Sequence, residues 1–213
     1  MSGPRTRRRD KLPPDPSVRR AIVAAASKSV REQGVRGLSV ASVLDRAQLG
    51  TRAFYRNFES KDQLVAAVFL EMARVEKRRL RRKMGSAANP VDGVSAWIDG
   101  RLDLAFDENI KSDMRHLSLE AQSQMFASPE LVQPAYAEML KPLIEQLERG
   151  LQQGVFHDID PVNEAQSIQG VVWACTERQW TTGECDRTDV HEHVLRFCLR
   201  GLGVVPETIA QTR

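Results

Sequence analysis

Thr51, Arg52, Tyr55 and Arg56 are the residues of this 213-residue chain whose types and spacing point most directly to chemistry. That chemistry is recognition rather than bond-making. They stand in the string LGTRAFYRNFESKDQL, where Phe54 and Phe58 are four apart and share one face of a short helix. With both aromatics turned inward, Thr51, Arg52, Tyr55 and Arg56 face out. A short helix with such a face, pinned from behind by aromatics, suits the major groove of duplex DNA, where a guanidinium grips a guanine edge through two bonds. Bond-making chemistry finds little footing. Ser, Cys and His form no recognisable nucleophilic motif. His191 and His193 with Cys185 and Cys198 are metal-ligand types, but His193 and Cys198 are five apart, poor for one helix face, and no CxxC or HExxH occurs. The expectation is no metal, no cofactor and no enzyme.

The elements that must position this face can be read on either side of it. A first helix is expected over 17–33, ending at the C-cap glycine Gly34. Val40, Val43, Leu44 and Ala47 follow at helical spacing, Gln48-Leu49-Gly50 makes the break, and the recognition helix runs from Thr51 to Asn57. Ser60 with Gln63 reads as a capping box opening the next helix. Residues 61–83 lack a breaker and predict one long helix. Beyond a boundary near 85–89, Asn89-Pro90 reads as an N-cap followed by proline at the first helical position. That helix runs to about 107, another spans 112–126, and a third opens at Ser128-Pro129 and ends near 150–154. Asp160-Pro161 repeats the N-cap signature for a helix to about 182, and 187–202 is the last. Residues 1–16 hold five Lys/Arg, and three of positions 13–16 are proline (13, 14 and 16). They read as a basic arm that either reaches DNA beside the main site or stays a solvated tail.

Charge follows the same division. Residues 1–83 hold 21 Lys+Arg and 8 Asp+Glu, a net of +13, and residues 84–213 hold 10 and 20, a net of −10. The excess coincides with the two-helix segment, which favours a polyanion as partner of one part only. The run Glu76 to Lys83 has its own explanation, because cations complement a helix C-terminus. A chain this long with 41% apolar residues can bury a sizeable core and form two domains. No apolar run approaches the roughly 20 residues of a membrane span. Three widely spaced cysteines argue against a disulfide framework and for the reducing cytoplasm.

Ser39-Val40, Ala47-Gln48-Leu49, the FYRNF string at 54–58 and Ser60 to Leu64 resemble the TetR family of transcriptional regulators. Ile22, Ala25, Ala26, Val30 and Gly34 resemble that family's first helix. Two positions depart from the pattern. Gln48 stands where glycine is common, so the turn there must avoid or tolerate a positive φ, and Leu44 replaces a small residue.

The resemblance implies an all-α fold: a basic arm over 1–16, a three-helix helix-turn-helix DNA-binding domain over 17–65, a connecting helix over 66–84, and a larger helical ligand-binding and dimerisation domain over 85–213. It implies DNA contacts from Ser39, Thr51, Arg52, Tyr55, Arg56, Asn57 and Lys61. Ser39 and Lys61 stand at helix starts where phosphates bind, and Thr51 and Arg52 are placed for base edges. The family's effector pocket would be drawn from Trp97, Arg101, Leu104, Met114, Phe126, Tyr136, Met139, Trp173, Thr176 and Trp180, though aromatics and Met at helical spacing also make plain core. A buried Arg101 would need a partner such as an anionic ligand, whereas an exposed one would pair with a surface carboxylate. A dimer built on the last two helices would use Val194, Phe197 and Leu202. Two-fold pairing also follows from DNA physics, because one short helix reads few bases and two half-sites lie about 34 Å apart.

The expected protein is therefore a cytoplasmic homodimeric repressor reading a palindromic operator under control of a small-molecule effector. A sequence-tolerant DNA-binding structural protein and a helical enzyme are the rival readings.

Overall fold

The computed structural model describes residues 15–107 and 110–204, with side chains throughout except at residues 111–114. The basic run at the N-terminus lies outside the described residues. Among the described residues there are nine α-helices and no strand, as the periodicity predicts. None of these helices is long and apolar enough to cross a membrane. The chain divides into two compact units, one up to Val68 and one from Phe69.

The first unit holds α1 (Pro16–Gly37), α2 (Val40–Arg46), α3 (Thr51–Asn57) and the start of α4 (Lys61–Lys83). Helix α1 opens one residue earlier than the sequence predicts. Asp15 is its N-cap, accepting from the Ser17 backbone N–H at 2.8 Å, and Pro16 takes the first helical position, where its missing N–H costs nothing. The helix breaks at Gly34, whose φ of 70° is open to glycine, and a further turn carries it to Gly37. Ile22, Ala26, Val30, Val43, Phe54, Phe58, Leu64 and Val65 form the buried centre on which α1, α2 and α3 pack.

The second unit is arranged about α5 (Pro90–Phe106). Val91, Val94, Trp97, Ile98, Arg101, Leu102, Leu104 and Ala105 are buried on every side of that helix, the pattern of a central helix rather than a surface one. It packs against α6 (Lys111–Ala127), α7 (Gln133–Gln152), α8 (Pro161–Thr182) and α9 (Arg187–Gly201). Both Asx-Pro starts are capped as predicted. Asn89 accepts from the Asp92 N–H at 2.9 Å, and Asp160 from those of Val162 and Asn163 at 2.9 and 2.8 Å. Ser128-Pro129 opens only a short 3-10 turn, and α7 proper begins at Gln133.

Candidate nucleic-acid interface and internal cavity

The break between α2 and α3 closes as a Schellman turn. The Leu49 N–H donates to the Leu44 carbonyl at 2.9 Å and the Gln48 N–H to that of Asp45 at 3.0 Å. This geometry places Gln48 at a φ of 55°. The turn thus takes the left-handed conformation that glycine favours, but with a side chain on it. Gly50, two residues on, has an ordinary φ of −85° and serves only as the N-cap of α3.

Helix α3 is pinned by Phe54 and Phe58, each 1% exposed and with rings 5.7 Å apart. Thr51, Arg52, Tyr55 and Arg56 are exposed together on the opposite side. Tyr55 is 67% exposed although its ring packs edge-on against Phe54, which fixes its direction. Neither Arg52 nor Arg56 is paired with a carboxylate among the described residues, whereas Arg46 is tied to Glu32 at 2.7 Å. Lys61 is half-buried at the first position of α4. Ser39 is exposed and caps α2 through a 3.5 Å contact to the Ser42 N–H, long enough to compete poorly with an anion at the same helix start.

Asn57 is engaged differently from its neighbours. Its amide donates to the Ala53 carbonyl at 2.8 Å and its Oδ1 is buried without a partner. A residue that the sequence reading misses holds this end of α3. Arg19 donates to the Asn57 carbonyl at 2.9 Å and lies over the Phe58 ring at 4.3 Å, so a cation from α1 caps the C-terminal dipole of α3. Nothing local in the sequence marks it, because the partners are 38 residues apart. The capping box is shifted by one residue: the Ser60 hydroxyl accepts from the Gln63 N–H at 3.1 Å, but Gln63 returns its bond to the N–H of Glu59, not of Ser60.

In the second unit most of the basic run of α4 is spent on carboxylates. Lys77 pairs with Glu138, Arg81 with Glu145, and Lys83 with Asp99 and Asp103 at 2.7 and 2.8 Å. Arg79 grips Glu76 with two bonds of 2.9 Å and reaches Asp103 at 2.8 Å. Arg101, 5% exposed, donates to Glu76 at 2.7 Å, and its Nε is buried with no partner. Arg187 joins Asp99 and Asp103. Burial pushes the Glu76 carboxyl up, but bonds and charge from Arg79 and Arg101 outweigh it and hold the group below its ordinary range.

Arg101 and Glu76 line a cavity of about 30 Å3, with Ser118, Tyr136, Met139 and Trp173 among its other walls. Tyr136 and Trp173 also line an adjoining groove of about 740 Å3 bounded by residues of α6, α7 and α8. Of the predicted pocket residues, then, Arg101, Tyr136, Met139 and Trp173 come together. Trp97 and Leu104 are fully buried core residues of α5, and Thr176 is buried on α8 outside both linings. Trp180 packs edge-on against Trp173 and donates to the Leu104 carbonyl at 3.3 Å. Phe126 is 83% exposed at the end of α6 and lines neither space. The side chain of Met114 lies outside the described residues. Of the residues expected at a dimer interface, Val194 and Leu202 are spent on the chain's own core, while Phe197 is 59% exposed. His191 lies against Ser95, and no group of three or more metal-ligating side chains gathers among the described residues.

Residues 22–68 match the family model described as bacterial regulatory proteins, tetR family. No curated protein matches the chain in sequence. Solved structures share its fold. A protein described as a TetR-family transcriptional regulator from Rhodococcus sp. superposes with a TM-score of 0.67 at 18% identity, covering 84% of this chain and 95% of that one. The structure of RolR with its ligand resorcinol gives 0.62 at 16%, with 92% of each chain covered. AibR, in complex with isovaleryl coenzyme A and operator DNA, gives 0.56 at 18%, covering 84% and 96%. Residues 22–68 are thus similar in sequence to the tetR family of bacterial regulatory proteins, and over most of its length the chain shares the fold of solved structures described as TetR-family regulators.

Proposed function

We propose that this protein is a one-component transcriptional regulator, a repressor, that reads a palindromic operator as a homodimer and loses affinity for it when a small-molecule effector binds. The observation that carries this reading is the face of α3, where Thr51, Arg52, Tyr55 and Arg56 stand exposed together behind two buried phenylalanines. Arg52 and Thr51 are assigned to base edges, and Tyr55, Lys61 and Ser39 to phosphates. Arg56 serves either. Asn57 acts mainly by holding the end of α3, with its amide offered to a phosphate only if its bond to Ala53 opens.

Support comes from relatives in fold: AibR was solved with operator DNA and an acyl-coenzyme A, and RolR with resorcinol. Helix α4 runs through the division at Val68 and carries Glu76, a wall of the cavity, so it is the natural lever between effector and DNA. An effector shifts the equilibrium only by its differential affinity for the two states. Two α3 helices about one DNA turn apart require a two-fold dimer, for which exposed Phe197 on α9 is available. The work is done by binding energy alone, with no catalytic step, in the cytoplasm.

The test is selection of bound duplexes from a random pool by wild type, Arg52→Ala and Tyr55→Ala. A palindromic motif that relaxes or weakens in the variants supports the reading. Binding without an enriched motif, fading only with salt, refutes it.

A further inference from the structure

The charges around Arg101 do not balance. Arg101, Glu76, Arg79, Asp103, Lys83, Arg187 and Asp99 form one connected chain of ion pairs, four cations against three anions. Glu76 is already matched by the two-bond grip of Arg79. Arg101 therefore adds a positive charge that its one bond to Glu76 does not neutralise, and it brings that charge to the wall of an internal cavity. Its Nε, among the described residues, donates to nothing. A buried guanidinium with a free donor is costly unless something anionic completes it.

The rest of the surroundings is apolar or weakly polar. Ala73, Ala121, Val132, Ala135 and Met139 line the cavity, whose free space holds on the order of two waters. The neighbouring groove is the larger space. At about 740 Å3 it falls within the ~300–1,000 Å3 of small-molecule sites. It has its own unsatisfied group: Gln169, 6% exposed, lines it and carries a buried Oε1 without a partner. Tyr136 and Trp173 belong to both linings, and the Tyr136 hydroxyl is held by a 3.1 Å bond to Gln122 of the groove.

We propose that the effector is a small apolar monocarboxylic acid, with its carboxylate on Arg101 and its apolar body passing Tyr136 and Trp173 into the groove. This rests on the regulator reading and names the chemistry of its ligand. The carboxylate completes Arg101, balances the four cations with a fourth anion, and leaves the Glu76–Arg79 pair intact. A neutral isostere gains the same apolar contacts but leaves Arg101 as it was.

The experiment is thermal stability and calorimetric titration of the full chain with hexanoate, octanoate, benzoate and phenylacetate, each against its primary amide. The expected result is that at least one acid raises the melting temperature, its amide binds at least tenfold more weakly, and folded Arg101→Gln loses the acid by at least tenfold. Equal binding of acid and amide, or no binding of any acid, overturns the proposal. So does an Arg101→Gln protein of native circular dichroism that holds the acid as tightly as wild type. If that variant does not fold, the acid–amide contrast on wild type decides. Operator selection on the same preparation separates the two readings. An enriched motif without acid binding removes this inference alone, and acid binding without a motif removes the regulator.

Discussion

Glu76→Gln should destabilise this protein more than Arg101→Met, although the two residues are bonded to each other. The Glu76 side chain is 3% exposed and accepts three charge-assisted bonds, two from Arg79 and one from Arg101. A glutamine in its place would keep one acceptor and turn an amide donor toward guanidinium donors, leaving Arg101 without its anion and Arg79 with Asp103 alone. Breaking a buried pair in this way costs ~3–5 kcal/mol, and the partial exposure of Arg79 brings the expectation to the lower part of that range. Arg101→Met removes a single bond and an unpartnered Nε, fills the space of the aliphatic stem, and leaves Glu76 in the grip of Arg79. We expect a cost of about 1–2 kcal/mol, toward or below the low end of the ~1.5–3 kcal/mol of one net charged hydrogen bond, because an unpartnered buried donor is removed with it. At ~2–4 °C per kcal/mol for a domain of this size, the melting temperatures should fall by roughly 6–16 °C and 2–8 °C respectively. The acid limb carries a second signature. The folded Glu76 carboxyl is held below its ordinary 4.5, so its contribution is full above that pH and is lost as pH falls through the folded value. The gap between wild type and Glu76→Gln should therefore narrow in acid. Thermal melts of the three proteins from pH 7 down to 3 measure both effects. A variant order with Arg101→Met the less stable, or a gap that stays constant through pH 3, would refute the account of Glu76 as the shared anion.

Four further outcomes follow from the geometry. Gln48→Gly should stabilise the first unit by about 0.5 kcal/mol in a urea melt, because relief of a left-handed backbone worth ~1–2 kcal/mol exceeds the extra unfolded-state entropy of glycine; destabilisation would count against the φ assigned there. Phe54→Ala should cost ~3–5 kcal/mol and abolish DNA binding while the second unit keeps its helical signal, and retained binding would show that α3 is not held by this ring. Gly150→Ala should cost about 3 kcal/mol, since a Cβ there would stand 2.1 Å from a ring carbon of Phe156, itself fully buried; a neutral melting temperature would contradict that packing. Cys198, buried and with its thiol pushed up to about 12 by desolvation, should resist iodoacetamide at pH 8 while half-exposed Cys185 is alkylated, as peptide mapping would show.

Local rules make much of this protein legible in its residues. Capping and proline chemistry act over three or four positions, so Asn89-Pro90, Asp160-Pro161 and Ser60 with Gln63 announce their helix starts without help from the fold. Phe54 and Phe58 define the inner face of α3 by spacing alone, and with it the outer face of Thr51, Arg52, Tyr55 and Arg56. The break at Gln48 is equally visible, but whether its φ is positive depends on the hydrogen bonds that close the turn.

Which charges and aromatics have partners is set by long-range packing. The +13 of the first 83 residues includes Lys77, Arg79, Arg81 and Lys83, which are paired with carboxylates on other helices or on α4 itself, whereas Arg52 and Arg56 are not. Trp97 and Phe126 read alike as pocket aromatics, yet one is fully buried core and the other 83% exposed. Val194 and Leu202 look like interface residues until the chain's own helices cover them. Arg101 is the sharpest case. Its place one turn after Trp97 said nothing of whether it was buried, and only the approach of α4 to α5 set it beside Glu76 with a donor to spare. Short-range geometry is written in neighbouring residues. The pairing of charges and the covering of apolar faces depend on segments far apart in the chain, which only folding brings together.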